Sequence, residues 1–297
     1  MTSKDEVTVV IPVLNEEQAI GKVLDEVLSE GYTNVLVVDG YSTDRTVDIA
    51  KSKGVKVVFQ HGPGKTGAIK TAIEILNTKY MVVMDGDYTY SAKDIERLLQ
   101  PAIKYPYVIG VRDKRNISKL HRLGNWIITK AFNLLMQTSL SDICSGMYLI
   151  RSDVAKELKL GSRGFRTEVE IAAQIASERE VTEVPISYRQ RIGKPKLSTW
   201  RHGFELLLTV LDLARAYNPV FLFSSITSLI IIPALMILLW VFIEMLRGIW
   251  HGGWALFGVM LLLLATQSAS VALISLLIKR VEKRLAILVE RISERKS

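Results

Sequence analysis

The chain has 297 residues, 49% of them hydrophobic, and its 38 Lys and Arg against 30 Asp and Glu give a formal charge of +8. A mean hydropathy of +0.24 is too apolar for a purely soluble protein, and the length allows one large or two ordinary domains. Cys144, the single cysteine, excludes an internal disulfide. The basic excess suits nucleic acid, anionic lipid or a phosphorylated substrate; no zinc-finger or aromatic ribonucleoprotein motif accompanies it, so nucleic acid is not expected as a partner.

Val7 to Ile11 is a β-branched run closed by Pro12. Asn15, Glu16 and Glu17 then open a predicted helix to about Ser29, with Asn15 as its cap and the two glutamates at its positive end. Met1 to Glu6 is polar and Val7 to Val13 is too short for the apolar core of a signal, so no cleavable signal peptide is expected. Asn34 to Val38 is a second buried strand ending on Asp39, an acidic residue placed to accept hydrogen bonds from a ribose or base. Gly40 to Asp44 is a turn, and Arg45 to Lys53 a helix.

Val55 to Phe59 is a third strand, after which Gly62 to Gly67 leads into a helix from Ala68 to about Asn77. A Walker A loop would need glycine where Phe59 stands, which excludes a P-loop ATPase. Flexible backbone, Lys65 and a helix N-terminus can still approach a diphosphate, although an ordinary connecting loop has the same composition.

The apolar run Tyr80 to Met84 stops abruptly at Asp85, Gly86, Asp87. In open α/β sheets ligands collect at the carboxyl ends of the strands, and residues i and i+2 of an extended chain share a side, so Asp85 and Asp87 stand where a site belongs. Paired hard oxygens suit Mg²⁺ or Mn²⁺, whose shells are completed by water and substrate phosphate. An Asp-Gly turn capping the next helix would read the same.

Ser91 to Leu99 is a predicted helix, and Val108 to Val111 a strand ending at Arg112. Arg112, Lys114, Arg115, Lys119 and Arg122 form a basic cluster at the start of a helix from Leu120 to Thr138, whose apolar side carries Leu123, Trp126, Ile127, Phe132, Leu134 and Leu135. Such a cluster is a solvated face or, beside a membrane domain, a holder of lipid phosphate. Asp142 to Gly146 is a polar bend before the strand Met147 to Ile150; Phe165 to Ala176 is a helix with Glu168 and Glu170 near its start, and Val181 to Tyr188 a strand. The basic loop Arg189 to Lys196 anchors on anionic lipid or closes as a flap over phosphates.

Trp200 to Tyr217 is an expected interfacial helix. Val220 to Leu246 and Trp254 to Ile278 are nearly free of charge, and at 1.5 Å per residue about 25 residues reach ~37 Å, enough to cross a hydrocarbon core of ~30 Å. The short link Arg247 to Gly253 makes them a transmembrane hairpin, with Gln267, Ser268 and Ser270 as packing residues. Lys279, Arg280, Lys283 and Arg284 after the second span place both termini and the globular part before the first span in the cytoplasm by the positive-inside bias. The expected division is a globular domain at 1–198, interfacial helices at 199–218, the hairpin at 219–279 and a basic tail at 280–297.

Six motifs in order, Val10-Ile11-Pro12 with Asn15-Glu16-Glu17, Val37-Val38-Asp39 with Ser42-Thr43-Asp44, Gly64-Lys65 with Gly67-Ala68, Asp85-Gly86-Asp87, Ser145-Gly146, and Arg191-Ile192-Gly193 with Lys196-Leu197, cover about Val7 to Leu197. Together they resemble the family-two inverting glycosyltransferases of GT-A fold, within them the polyprenyl-phosphate branch typified by dolichol-phosphate mannose synthase. The resemblance implies an α/β, Rossmann-like, mostly parallel catalytic sheet. It also implies that Pro12, Asn15, Glu16 and Asp39, with Lys65 nearby, line the nucleotide-sugar pocket, and that Asp85 and Asp87 bind Mg²⁺ or Mn²⁺ against the donor diphosphate. Arg112, with Lys119, Arg122 and Ser145, would hold the acceptor phosphate. Arg191 and Lys196 would close over the phosphates, so that Asp87, Arg112, Arg191 and Lys196 make up the catalytic set. Three positions depart from the family pattern: Gly40 replaces a second Asp, Thr89 a Gln, and Pro195 a Ser.

The implied reaction moves a hexose from a nucleotide sugar, GDP-mannose by preference and UDP-glucose next, to dolichyl or polyprenyl phosphate in the membrane; the oligomeric state is left open, a homo-oligomer included. A processive polysaccharide synthase would need more spans and a late Gln-x-x-Arg-Trp, for which Trp200 comes too far after Gln190 and Arg191. A non-catalytic nucleotide-binding membrane scaffold is the alternative from another class.

Overall fold

The structure is a computed structural model, and it describes residues 3–161, 166–193, 212, 214–215 and 218–294. The chain divides into two compact units, Met1–Val210 and Leu211–Ser297. The first is built on a seven-stranded sheet: β1 (Val7–Val13), β2 (Val35–Asp39), β3 (Lys56–Phe59), β4 (Tyr80–Val83), β5 (Tyr107–Arg112), β6 (Tyr148–Arg151) and β7 (Val181–Ile186), in the order β3-β2-β1-β4-β6-β5-β7. Its helices are α1 (Ile20–Ser29), α2 (Thr46–Ser52), α3 (Gly64–Glu74), α4 (Ile95–Leu99), α5 (Lys119–Met136), α6 (Ser152–Glu157) and α7 (Arg166–Ala176).

The central strands are β-branched and buried on both faces; every residue of β2 and β4 is buried, as expected of strands covered by helices on both sides. α1 shows how that cover is made, since Ile20, Val23, Leu24 and Val27 recur at helical spacing and all are buried. Strand β1 pairs in parallel with β2 and β4, β2 with β3, and β5 with β7, whereas β6 runs antiparallel to both β4 and β5. This mostly parallel α/β sheet has one consequence for the site. The carboxyl ends of β1, β2, β4, β5 and β7 share one edge, and because β6 is reversed, its preceding residues Ser145 and Gly146 arrive at the same edge.

The expected cap of the first helix is corrected by the structure. Residues 16–19 form a turn and α1 begins only at Ile20, with Ala19 at its N-cap and no side-chain cap. Asn15 instead adopts a left-handed conformation (φ 51°), which Asn tolerates better than most residues, and its Oδ1 accepts from the Thr43 N–H at 2.7 Å. The helix at Gly62–Gly67 also starts earlier than expected, so Lys65 lies in its first turn.

The second unit holds α8 (Pro219–Leu246) and α9 (Gly252–Glu294). Both are long and apolar enough to cross a membrane, with mean hydropathies of 2.7 and 2.1 over their most apolar windows. Buried core helices would hide their side chains; here Leu229, Trp240, Leu256 and Leu263 are exposed along their lengths. The Ser268 hydroxyl donates to the Phe223 carbonyl of the other helix at 3.0 Å, a packing role of the kind expected for it. The tail expected at 280–297 continues α9 as helix to Glu294. The expected interfacial helix at 200–217 falls almost wholly outside the described residues, as does Lys196.

Candidate active site

The carboxylates after β4 are held by two cations brought from distant parts of the chain. Lys65 Nζ lies 2.5 Å from Asp85 Oδ1 and 2.6 Å from Glu168 Oε1, and the Glu168 side chain is only 6% exposed. Burial alone would lower the pKa of the Lys65 ammonium, but Asp85 and Glu168 outweigh it and hold the group well above the ordinary lysine value. Asp87 Oδ1 accepts from the Thr89 N–H and hydroxyl, and Oδ2 from Arg191 Nη1 at 3.0 Å. Burial and the neighbouring charge of Asp85 raise the Asp87 carboxylate above its usual range despite Thr89 and Arg191.

The other carboxylate oxygen of Asp85 lies over Gly146. A Cβ at that position would collide with Asp85 Oδ2, and the Gly146 N–H is spent on the buried Tyr90 Oη at 2.7 Å, so the glycine has no room to retreat. Gly146→Ala is therefore expected to push Asp85 off its position and lower turnover by about 10²-fold, the scale on which ångström misplacements act, with little loss of folded protein. Parallel steady-state assays and thermal melts check this.

Glu16 and Asn15 belong to a loop laced to the one after β2. The Glu16 N–H donates to Thr46 Oγ1 at 2.7 Å, and the Asn15 N–H to Ser42 Oγ at 2.8 Å. Glu16 Oε1 also accepts from Arg191 Nη2, so Arg191 bridges the ends of β1 and β4. Its Nε is buried without an acceptor among the described residues. Asp39 is fully buried, and its two oxygens accept from the N–H and hydroxyl of Ser42. Pro12 lies in β1 opposite Val38.

Arg191 is delivered by a segment pinned along its length. The Ser187 N–H donates to Asp94, the Arg189 N–H to the Thr89 carbonyl and the Ile192 N–H to the Asp87 carbonyl. The Arg189 guanidinium makes two bonds, at 2.7 and 2.8 Å, to Glu26, which also accepts from Ser91. The Arg189 hydrogen bonds, opposed by burial and assisted by Ser91, hold Glu26 below the usual carboxylate range. A depressed carboxylate contributes stability that is present above its unfolded pKa of about 4.3 and is lost as pH falls through the lower folded value. Glu26→Gln should thus cost about 1–2 kcal/mol at pH 7 and raise the KM for donor, and its stability gap to wild type should close below about pH 4. Denaturant unfolding at pH 7 and pH 3.5 measures that gap.

Arg112, at the end of β5, is clamped by Asp142 through Nε and Nη2, both at 2.7 Å, and lies over the Tyr188 ring. Asp142 also walls a cavity of about 790 Å³ whose lining includes Lys119, Arg122, Leu123, Trp126 and Thr129. Thr129 Oγ1 is buried there without a partner among the described residues. Asp85, Asp87, Glu16, Lys65 and Arg191 thus meet at one edge, joined by Gly146 beside Ser145, while Lys119 and Arg122 belong to the adjoining cavity. Sequence pattern does not single out Glu168, Asp142 or Glu26 for the site, and it marks Arg189 only as the start of the basic loop. Their signal is a charge held by a partner 30 to 163 residues away, visible only once that partner is known.

Residues 8–159, just over half of the 297, match Glycosyl transferase family 2. The chain is 35% identical over 235 residues to Glycosyltransferase AglJ of Haloferax volcanii, covering 76% of this chain and 78% of the relative. It is 31% identical over 206 residues to a Dolichyl-phosphate hexose transferase of the same organism, covering 67% of this chain and 90% of that protein. Among solved structures, glucosyl-3-phosphoglycerate synthase from Mycobacterium tuberculosis, in a complex with Mn²⁺, UDP-glucose and phosphoglyceric acid, superposes with a TM-score of 0.59 at 20% identity over 70% of this chain and 79% of that one; at that identity the likeness is one of fold. With this sheet and these relatives, the chain belongs to glycosyl transferase family 2 and is a glycosyltransferase.

Proposed function

We propose that the protein transfers a hexose from a nucleotide sugar to a polyprenyl or dolichyl phosphate, inverting the anomeric carbon, at the cytoplasmic face of a membrane that α8 and α9 span. The observation that carries this reading is the meeting of two adjacent carboxylates with two cations at the carboxyl edge of the sheet. The family membership supplies the transfer, and the 31% identical relative named for dolichyl phosphate supports the acceptor.

A divalent metal fits the donor set. Asp85 and Asp87 offer hard oxygens side by side, and the raised pKa of Asp87 reports a negative charge that Arg191 and Thr89 do not fully compensate. These two residues would hold Mg²⁺ or Mn²⁺, which supplies charge neutralisation for the departing diphosphate. Arg191 stands beside them with an Nε–H that has no acceptor among the described residues, a donor suited to a phosphate oxygen, and Lys65 lies in the first turn of α3. Glu16, fixed by Thr46 and Arg191, orients the donor with Pro12, Asn15 and Asp39.

The acceptor phosphate is already an anion and attacks the anomeric carbon without a strong general base, so the chain's task is orientation and charge. Arg112, Lys119, Arg122 and Ser145 are the residues we assign to it, with the cavity beside Asp142 taking the start of the lipid. Lys196 is assigned to the flap that carries Arg191. GDP-mannose is the favoured donor and UDP-glucose the second. A screen of nucleotide sugars against membranes containing polyprenyl phosphate tests the proposal. One sugar should become lipid-linked in a metal-dependent way; nucleotide binding by calorimetry without any lipid-linked product would overturn it.

A further inference from the structure

In the middle of α9 the chain keeps a side chain whose polar groups its own fold does not use. The apolar stretch Gly252–Ile278 has Ala265 at its centre, and Gln267 stands two residues on, about 3 Å along the axis. Around it the hydroxyls turn back on the hairpin: Thr266 donates to the Leu263 carbonyl, Ser270 to that of Thr266, and Ser268 across to that of Phe223 in α8. Gln267 is exposed, and its amide has no hydrogen-bond partner among the described residues. In a bilayer, two N–H groups and a carbonyl would thus face hydrocarbon, where no water can serve them. With about 15 Å from the midplane to the edge of the hydrocarbon, the side chain is too short to reach out.

Its direction marks a surface. Gly258 against Leu238, and the buried Ala265 and Ala272, lie on the side of α9 that packs on α8. At about 3.6 residues per turn, Gln267 lies roughly 200° round from Ala265. On that outer side Met260, Leu264, Val271, Ile274 and Ile278 are 41% to 55% exposed and, with Gln267, alternate at steps of four and three residues. The same spacing runs on beyond the apolar stretch at Val281, Leu285, Leu288 and Ile292, in a helix that continues to Glu294. Lipid explains apolar residues as far as Ile278. Past it, the intervening positions turn to Lys279, Arg280, Glu282, Lys283 and Arg284 while the repeat stays apolar. A period of about 3.5 residues kept across both environments is the mark of a seam between helices.

We propose that this side of α9 pairs in parallel with α9 of a second copy of the chain, about a two-fold axis. The partner is the chain itself because a primary amide is its own complement, Nε2 of each Gln267 donating to Oε1 of the other. Two copies inserted in the same sense carry Gln267 at the same depth, so an isologous contact brings like to like. A single polar residue in an apolar seam also fixes its register. The contact lies in the hairpin and goes beyond the catalytic reading, which names no partner chain.

The full chain, carrying one fluorophore and diluted in phosphatidylcholine bilayers, tests this by stepwise photobleaching. Wild type should bleach mostly in two steps. Gln267→Leu should fall to half pairs at about tenfold lower lipid-to-protein ratio, the scale of amide contacts between membrane helices, while Gln267→Asn stays within about threefold of wild type. Oxidative cross-linking in a Cys144→Ser background reads the same surface with Gln267 intact. Leu264→Cys and Ile274→Cys, on the seam, should form dimers several times faster than Leu273→Cys, which is 60% exposed but off it. Single-step bleaching of wild type at every dilution would overturn the pairing. So would cross-linking as fast at Leu273→Cys as on the seam, or pairing by Gln267→Leu as strong as that of wild type. Monomeric wild type that still forms lipid-linked sugar would sink this inference alone and leave the catalytic reading standing.

Discussion

Asp87→Asn is expected to remove nearly all sugar transfer while leaving the fold as stable as before, or slightly more so. The side chain is 11% exposed and sits beside Asp85, and its raised pKa means that the folded protein disfavours its charge in spite of Arg191 and Thr89. A carboxylate raised on folding lowers stability as pH climbs through its unfolded value near 3.9, so at pH 7 wild type bears that cost and the neutral amide does not. The charge kept there at the expense of stability is what the donor site needs. Its loss removes one of two candidate metal ligands and one of the two anchors of Arg191, and a fall in kcat of about 10²–10³-fold or more follows from the size of such electrostatic effects. Transfer of radiolabelled sugar to the lipid fraction measures the first half of the prediction. Thermal unfolding at pH 7, with calorimetric titration of Mn²⁺, measures the second. Wild-type turnover in this variant would remove the basis of the proposed site.

Much of this edge could be read from local pattern. The strands ending at Asp39 and Arg112, and the one that runs through Val83 and Met84 into Asp85, are apolar runs that stop on a polar residue, and a parallel sheet presents such ends together. The reversal of β6 could not be read in this way. Met147 to Arg151 has the same apolar pattern in either direction, so the arrival of Gly146 beneath Asp85 depends on a topology that only the assembled sheet reveals. Asn15 illustrates the limit in another form. An Asn before two glutamates has the composition of a helix cap, yet Thr43 and Ser42 compete for the same groups, and the tertiary partners prevail. Glu26 and Arg189 stand 163 positions apart, and each taken singly reads as a solvated charge. Lys65 could be seen near a phosphate site from its glycine-rich loop, but not its pairing with Glu168, which lies in the first turn of a helix a hundred residues later.

That pairing gives the other large effect. Lys65 is the shared partner of Asp85 and Glu168, with 21% of its side chain exposed, against 33% for Asp85 and 6% for Glu168. Lys65→Met keeps the length and the apolar stem but leaves two carboxylates facing one another across a largely dry space, and removal of one member of a buried ion pair costs about 3–5 kcal/mol. Asp85 is a third exposed and recovers some hydration, so a value near 3 kcal/mol at pH 7 is expected. The sign with pH follows from the raised pKa of Lys65: its contribution is complete below the unfolded lysine value of about 10.4 and is lost only as pH rises through the higher folded one. The stability gap between variant and wild type should therefore stay level from pH 7 to about 10 and narrow only above that, as read by denaturant unfolding across the range. Lys65→Met, Glu168→Gln is the discriminating double variant. If the lysine serves mainly to neutralise these two acids, removing one of them restores more than half of the lost stability. Transfer stays low, because the cation is still absent from the first turn of α3, where the donor diphosphate is proposed to bind. Recovery of stability and turnover together would show that Lys65 only supports the fold.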